Sequence, residues 1–349
     1  IQAGRKKEGP DAGGLYKLGL AQPLPFSGRL GAQGGLRDLD AEAARVGRSA
    51  AGTAVTLEVL RLAYAYSGNR RKAAFVEARQ RRFELVREYI AGREFLTPQR
   101  KAESRLVNNR LRVLAAEAVK TEAEFKDSFE RLKLQAPLES AEYPDVETPW
   151  LSGARSLLPE DVLARAFARD PELVLRRIAL KRAGLEVELA RKEGLPEPAL
   201  TASYEQAKTL ETERSYGLGM SLGFPFWNGN RAGVESSRLR ATAEERLLAF
   251  DERRLKTAVP AAVLRAEAAR KTVQGYPEPL LAEVEGQLKE AEEGFRRGQV
   301  DLLTFLELDA ASSETLGAAL DSQTAFVERL AEVFELTQEP DAAAKLAGF

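Results

Sequence analysis

The segment Tyr216-Gly-Leu-Gly-Met-Ser-Leu-Gly-Phe-Pro-Phe-Trp227 alternates between large apolar residues and residues with little or no side chain. A β-strand directs successive side chains to opposite faces of its sheet, so this segment predicts a strand with one apolar and one nearly bare face. A sheet with a solvated face usually carries charged or hydroxyl residues there. The large residues share one face: Tyr216, Leu218, Met220, Leu222, Phe224 and Phe226.

The same pattern occurs earlier in the chain, in Tyr16-Lys-Leu-Gly-Leu-Ala-Gln-Pro-Leu-Pro-Phe26. Tyr, Leu, Gly, Pro and Phe recur in the two segments at a constant offset of 200 residues. An internal repeat takes precedence over a domain count based on length. The sequence therefore predicts a duplicated chain, in which each half has a hairpin of strands followed by a long helical hairpin.

The duplication sets the predicted domain boundaries. The first repeat covers residues 1–134, a linker covers 135–156, the second repeat covers 157–337, and a tail covers 338–349. Within the second repeat, the strand hairpin lies at 199–227 and the helical hairpin at 230–337. Residues 157–200 precede the second hairpin, and their counterparts would lie before residue 1. We therefore expect the first repeat to be incomplete at its N-terminus.

Breaks and proline positions delimit the predicted helices and strands. The stretch from Leu30 to Ala91 is rich in Ala, Arg, Glu and Leu and lacks proline, which favours a long helix despite several glycines. A break follows at Gly92–Pro98, where Thr97 and Pro98 fit a helix cap and first position. Further helices are predicted from Pro98 to about 134, at 157–168 and at 171–194. A long helical stretch is predicted from about 230 to 297, with interruptions at Pro260 and 275–279. A last helix follows a break at Gly298–Thr304. Strands are predicted at 15–26, 200–208 and 215–227, with residues 1–14 as a strand end plus hairpin loop and 209–214 as a polar turn.

Composition excludes several kinds of chemistry. The chain has no cysteine, no histidine and a formal net charge of −1, with 30% charged residues of mixed sign. Thiol, zinc and Ser-His catalysis are thereby ruled out or strongly disfavoured, and no nucleic-acid footprint is visible. Carboxylate pairs are plentiful, but they follow from the charge density. We expect no enzymatic activity, no catalytic or metal-binding residue and no cofactor.

The strands leave two structural interpretations open. No apolar run approaches the roughly 20 residues of a membrane helix, whereas strands of about ten residues match the length of tilted membrane strands. In that case the apolar face of 216–226 contacts lipid, and the strand edges pair with other copies because open edges are not tolerated in hydrocarbon. The alternative is a soluble α+β protein whose short sheets pack on helices.

Three groups of residues together resemble the outer membrane factor family, the TolC-like outer membrane efflux proteins. The first is Gly19–Gly28 and its counterpart Gly219–Gly229. The second is Asp170-Pro-Glu-Leu173, which opens a helix that ends at Leu195-Pro-Glu-Pro198. The third is Phe295-Arg-Arg-Gly-Gln-Val-Asp-Leu-Leu-Thr-Phe-Leu-Glu-Leu-Asp309. The resemblance covers about residues 15–337, and the first strand motif is most similar to the heavy-metal efflux branch.

The resemblance implies a mainly α protein with membrane β structure. Its fold would be a homotrimer with one twelve-stranded outer-membrane β-barrel, four strands per chain, continued by a long periplasmic α-helical barrel. Its function would be that of a passive exit duct in the outer membrane, which docks on a periplasmic adaptor (membrane fusion) protein and an inner-membrane pump. The outer-membrane component of type I protein secretion is an alternative within this architecture, and a soluble coiled-coil scaffold or adaptor is an alternative outside it.

The resemblance also assigns candidate site residues. It places the two helix–helix turns at the periplasmic tip as adaptor contacts: Gly92, Phe95, Leu96, Thr97, Gly298, Val300, Leu302 and Leu303. Acidic residues after the second turn line the entrance in this family, and Glu307 and Asp309 are the nearest here. Their role would be to attract cations at a constriction, and the alternative is that both lie on an ordinary solvated helix face.

Overall fold

A computed structural model of the chain describes residues 2–8, 11–24, 26–92, 97–136, 142–208, 212–223, 229–339 and 341–347. The described part is mostly helical and contains one antiparallel sheet. In chain order the elements are β1 (Gln2–Glu8), β2 (Asp11–Pro23), α1 (Arg29–Ala91), α2 (Pro98–Gln135), a short 3-10 turn (Leu151–Gly153), α3 (Pro159–Arg169), α4 (Pro171–Glu193), β3 (Glu197–Lys208), β4 (Thr212–Gly223), α5 (Arg231–Gln274), α6 (Leu280–Arg296), α7 (Leu302–Thr337) and α8 (Ala342–Ala347). None of the described helices is long and apolar enough to cross a membrane.

The chain divides into two compact units. The first comprises Ile1–Gly47 and Glu172–Glu252 and contains the sheet; the second comprises Arg48–Pro171 and Arg253–Phe349 and contains the two predicted helix–helix turns. Each unit takes segments from both halves of the sequence, because the long helices α1 and α5 begin in the first unit and end in the second.

The sheet has the order β1-β2-β3-β4, with every neighbouring pair antiparallel. The hairpins extend further than the sequence suggested: Glu8 already pairs with Asp11, and Lys208 pairs with Thr212. The strand end predicted within 1–14 is confirmed as β1, but the loop predicted after it and the turn predicted at 209–214 were too long, because glycines and polar residues at these positions continue the ladders. The two repeats meet where β2 pairs with β3, from Gly14 with Lys208 to Pro23 with Ala199.

Matching left-handed residues lead from the sheet into α1 and α5. Gly28 has φ +73° just before α1, and Gly229 has φ +43° just before α5. Asn230, at φ +54°, is one of the few residue types that adopt this conformation, and its Nδ2 donates to the carbonyl oxygen of Ala190 at 2.9 Å. The starts of the two helices therefore share the local geometry expected of duplicated segments.

Most helix boundaries agree with the sequence. The breaks after Ala91, at 275–279 and before Leu302 are confirmed, as is the cap of α2, where the Thr97 side chain accepts from the backbone N–H of Arg100 at 3.3 Å. A kink or local unwinding was predicted at Pro260; the helix does not unwind there, because α5 continues through the proline. Val259 and Val263 are 0% and 1% exposed, so packing on both sides of the proline holds the helix together.

An extended strap, residues 142–158, crosses the helices of the second unit. The hydroxyls of Tyr64 and Tyr66 donate to the carbonyl oxygens of Pro149 and Pro144 at 3.0 and 2.7 Å. The Trp150 indole N–H donates to the carbonyl oxygen of Tyr276 at 2.7 Å. Because side chains of the helices donate hydrogen bonds to backbone carbonyl oxygens of this segment, an irregular segment can lie against packed helices. The described part of the predicted linker, residues 142–156, thus packs as part of the second unit.

A buried ion pair joins three helices of the second unit. Arg79 of α1 is 1% exposed and donates from Nε and Nη2 to the two carboxylate oxygens of Asp309 in α7, at 2.9 and 2.7 Å. Arg110 of α2 donates to the same carboxylate at 3.1 Å, and Ser313 accepts from Arg79 at 2.9 Å. Paired, hydrogen-bonded charges tolerate burial, whereas a lone buried charge is costly.

We predict that Asp309→Asn destabilises the helical unit by about 3–5 kcal/mol, because it removes the buried bidentate partner of Arg79 and leaves that guanidinium only the Glu117 carboxylate, which is 37% exposed and 3.4 Å away. The measurement is the thermal midpoint of the helical circular dichroism signal. The matched control is Glu307→Gln, a neutralisation two residues away at an exposed position, which should change stability by less than about 0.5 kcal/mol. Equal midpoints for the two variants would contradict the assignment.

Candidate membrane-facing sheet and helical tip

One face of the sheet is apolar and exposed. Residues that pair directly across an antiparallel sheet lie on the same face, so Leu20, Ala202 and Leu218 form one row, and Leu18, Tyr204 and Tyr216 form the next. On β4 the exposed fractions of Tyr216, Leu218, Met220 and Leu222 are 78, 92, 73 and 45%. These four residues share a face as predicted, while Phe224 and Phe226 lie outside the described residues. An exposed patch of this kind marks a surface that another apolar phase or partner covers.

The opposite face is small and polar. Gly217 and Gly219 lie opposite Ser203 and Thr201 in the ladder. A Cβ at Gly217 would come within 2.5 Å of the Ser203 Oγ, so a larger residue there would require the Ser203 side chain to move. One charged pair belongs to this face, with the Lys17 ammonium 2.8 Å from the Glu205 carboxylate. The sheet therefore separates an apolar surface from a thin hydrophilic one.

The two helix–helix turns lie side by side in the second unit. Tyr89, Thr97 and Arg100 near the first turn line a surface cavity of about 380 Å³ together with Gly298 and Asp301 of the second. Aromatic packing in the helices next to the turns holds the turns together. Phe305 is fully buried, and its ring centroid lies 5.4 Å from that of Phe83 and 5.9 Å from that of Phe295. We call this paired surface the helical tip.

The second turn has a tightly defined backbone. Gly298 adopts φ +73°, a left-handed conformation that ends a helix at little cost only for glycine. Asp301 then caps α7, its carboxylate accepting from the backbone N–H of Thr304 at 2.8 Å. This hydrogen bond, with further ones from the Thr304 hydroxyl and the Leu303 N–H, lowers the pKa of the Asp301 carboxyl. The tip therefore keeps a negative charge at the start of α7.

The predicted tip residues differ in accessibility. Leu302 is 5% exposed and belongs to the core below the tip, whereas Leu303 is 65% exposed. Gly92 and Thr97 are exposed, and Val300 is half-buried against Gly294. Phe95 and Leu96 lie outside the described residues. A contact role for Leu302 therefore needs correction: α7 turns its side chain inwards, and Leu303 is the neighbour available to a partner.

Glu307 and Asp309 lie in different environments. Glu307 is exposed, as either interpretation of the sequence required. Asp309 is fully buried and shares its two oxygens between Arg79 and Arg110. Its side chain is buried and its charge is compensated within the chain, so Asp309 neither lies on a solvated helix face nor presents its carboxylate to an entrance. Of the two residues, Glu307 is the one whose carboxylate faces solvent.

Sequence reasoning missed Arg79, although its position carries a signal. Val76, Phe83, Val86 and Ile90 recur at steps of three and four and are all buried, and Arg79 occupies the same stripe. A charged residue on the buried stripe of a helix requires a partner on the facing helix. The partner is Asp309, whose spacing from the residues around it places it on the buried stripe of α7 with Leu302, Phe305 and Leu316.

Solved structures share this fold at low sequence identity. CusC, described in terms of folding and transmembrane channel formation, matches with a TM-score of 0.72 at 14% identity, over 96% of this chain and 81% of its own. The open state of the Neisseria gonorrhoeae MtrE outer membrane channel matches with a TM-score of 0.71 at 18% identity, over 97% and 79%. The Vibrio cholerae outer membrane protein VceC matches with a TM-score of 0.70 at 14% identity, over 97% and 85%. At these identities the likeness concerns the fold.

Sequence comparison supplies the family. No curated protein matches the chain. The family model described as outer membrane efflux protein matches residues 162–337, just over half of the chain, from α3 to the end of α7. The chain belongs to the outer membrane efflux protein family, a family of outer membrane channels.

Proposed function

We propose that this protein is the outer-membrane exit duct of a tripartite efflux system, a homotrimer whose sheets join in one twelve-stranded barrel. The observation that carries the proposal is the sheet itself. Its exposed face is apolar along β2, β3 and β4, and its other face is small and hydrophilic. Such a sheet suits a wall with lipid on one side and water on the other.

Strand pairing supports the trimer. The sheet ends in β1 at one edge and β4 at the other, and an edge facing hydrocarbon would leave backbone N–H and C=O groups without partners. Copies of the chain supply those partners when β4 of one pairs with β1 of the next. Two copies would give eight strands, whose interior is just filled by side chains, whereas three copies leave room for a channel.

The helices supply the periplasmic part of the proposed duct. They carry dense charge, and α1, α2, α6 and α7 meet at the helical tip, which offers exposed Leu303 beside the tip cavity. By the family resemblance this tip contacts a periplasmic adaptor, and an inner-membrane pump delivers the cargo. The heavy-metal branch of the family stays a prediction from the first strand motif.

The duct is tested by placing arginine on each face of β4. Met220→Arg should reduce the heat-modifiable, membrane-inserted trimer, because a cation on the lipid face near the bilayer centre costs about 2–4 kcal/mol. Ser221→Arg puts the same side chain on the opposite face one residue later and should insert normally. Wild-type protein should form channels in planar bilayers. Equal insertion of the two variants, or a wild-type protein that stays monodisperse without detergent and conducts nothing, refutes the proposal.

Docking at the tip is tested at Leu303. Leu303→Asp should abolish efflux in cells while trimer assembly and bilayer conductance persist, because the residue is exposed and supports no core packing. Leu302→Asp would instead damage the fold. Leu134→Asp, an equally drastic change at an 82% exposed leucine at the far end of α2, serves as control. Normal efflux by Leu303→Asp would remove this residue from the docking surface.

Cation attraction at the entrance is tested at Glu307. Its exposed carboxylate would occur three times in the trimer, so Glu307→Gln should lower the cation-to-anion permeability ratio in planar bilayers. The decrease should shrink at high salt because exposed charges are screened. Unchanged selectivity at low salt would rule out Glu307 as part of the filter and leave it on a solvated helix face.

A further inference from the structure

Charged residues are segregated between the two faces of the sheet. On the hydrophilic face of β2, β3 and β4 lie Lys17, Glu197, Glu205 and Glu213, which include both signs. On the apolar face of the same strands, from Tyr16 onwards, the charged residues described are Lys208 and Arg214, both basic. They lie at the hairpin end of the sheet, next to the tyrosines, and both are exposed.

The cross-strand register places these cations directly beyond an aromatic belt. Tyr204 and Tyr216 form one row, with ring centroids 5.2 Å apart. The next row contains Tyr16, Gln206 and Arg214, and the row after that contains Lys208. Successive rows are two residues apart along each strand, or about 7 Å. Moving towards the hairpin end, the surface therefore changes from aliphatic to aromatic to cationic within about 15 Å.

The polar groups beyond the belt are arranged as donors. The Tyr204 hydroxyl donates to the side-chain oxygen of Gln206 at 3.1 Å, which leaves the amide N–H groups of Gln206 to donate elsewhere. Within the part of the chain that the structure describes, neither Lys208 nor Arg214 forms an ion pair. Diagonal neighbours of like charge repel each other across a sheet. An anion bound between them would relieve that repulsion and accept from the amide.

We propose that Lys208 and Arg214, with Gln206, bind the phosphate group of an anionic lipid at the surface of the bilayer. This inference rests on the proposed function, which puts the apolar face in lipid. Charge and position together point to a lipid phosphate as the ligand. The site is cationic and opens on the lipid side of the sheet. It also lies just past the aromatic belt, where lipid headgroups meet the hydrocarbon boundary.

The experiment compares lipid selection by the full chain in mixed phosphatidylcholine and phosphatidylglycerol bilayers. Native mass spectrometry of trimers released from nanodiscs measures the enrichment of phosphatidylglycerol among the lipids that stay bound. Each basic residue near an anionic surface is worth about 1 kcal/mol, so Lys208→Gln or Arg214→Gln should lower the exchange constant about fivefold, and the double variant about 30-fold. Lys17→Gln removes one positive charge from the opposite face of the same sheet and should leave the enrichment unchanged.

Three results would overturn the site. The first is undiminished phosphatidylglycerol enrichment in the double variant. The second is a loss of enrichment in Lys17→Gln as large as in the single variants. The third is displacement of phosphatidylglycerol by excess inorganic phosphate at fixed ionic strength, which would indicate a site for a soluble anion. Insertion and conductance in pure phosphatidylcholine test the proposed function separately. If the wild type does not insert, the exit duct and the phosphate site both fail. If the double variant inserts and conducts but still enriches phosphatidylglycerol, only the phosphate site fails.

Discussion

Every backbone N–H and C=O group of a sheet must find a partner, and hydrocarbon supplies none. Here the internal ladders satisfy β2 and β3 on both sides, whereas β1 and β4 have a neighbour in the chain on one side only. This requirement, more than any single side chain, links the apolar face of β4 to the proposed oligomer. If the face lies in lipid, the edges must pair between copies. The same argument would explain why the opposite face is so small, since the proposed barrel would enclose water rather than a packed core.

The helices meet a different requirement, since they must stay associated while much of their surface is charged. Separate apolar clusters hold them together along the second unit. Phe83, Phe295 and Phe305 pack below the tip, and Phe326 and Leu330 belong to another core cluster. Between such apolar layers the buried pair of Arg79 and Asp309 fixes which faces of α1, α2 and α7 meet. A buried ion pair contributes little net stability compared with a well-packed apolar pair, but removing one partner is severe.

Periodicity accounts for most of what the sequence predicted. Alternation of large and small residues located the strands and separated their two faces. The constant offset between the two Tyr-Leu-Gly segments predicted a duplication, and the matching helix starts at Gly28 and Gly229 support it. Local signals failed where tertiary contacts decide the outcome. Pro260 lies inside α5 because Val259 and Val263 are buried around it, and Asp309 is removed from solvent by an arginine 230 residues away in the chain. The two tip leucines were grouped together although their spacing separates them: Leu302 shares the buried stripe of α7 with Phe305, whereas Leu303 does not.

Charge placement sharpens this distinction between pattern and context. With a net charge of −1, the composition suggests no preference for any charged partner. In the structure, charges are balanced differently in different places. Inside the helical unit Arg79 and Asp309 compensate each other, and on the hydrophilic sheet face Lys17 pairs with Glu205. On the apolar face the charges are segregated, because no described acid of that face offsets Lys208 and Arg214. Unlike compensation and pairing, segregation leaves a field that reaches beyond the protein surface. On the sheet, a charged partner that this segregation selects would therefore approach the hairpin end along the apolar face.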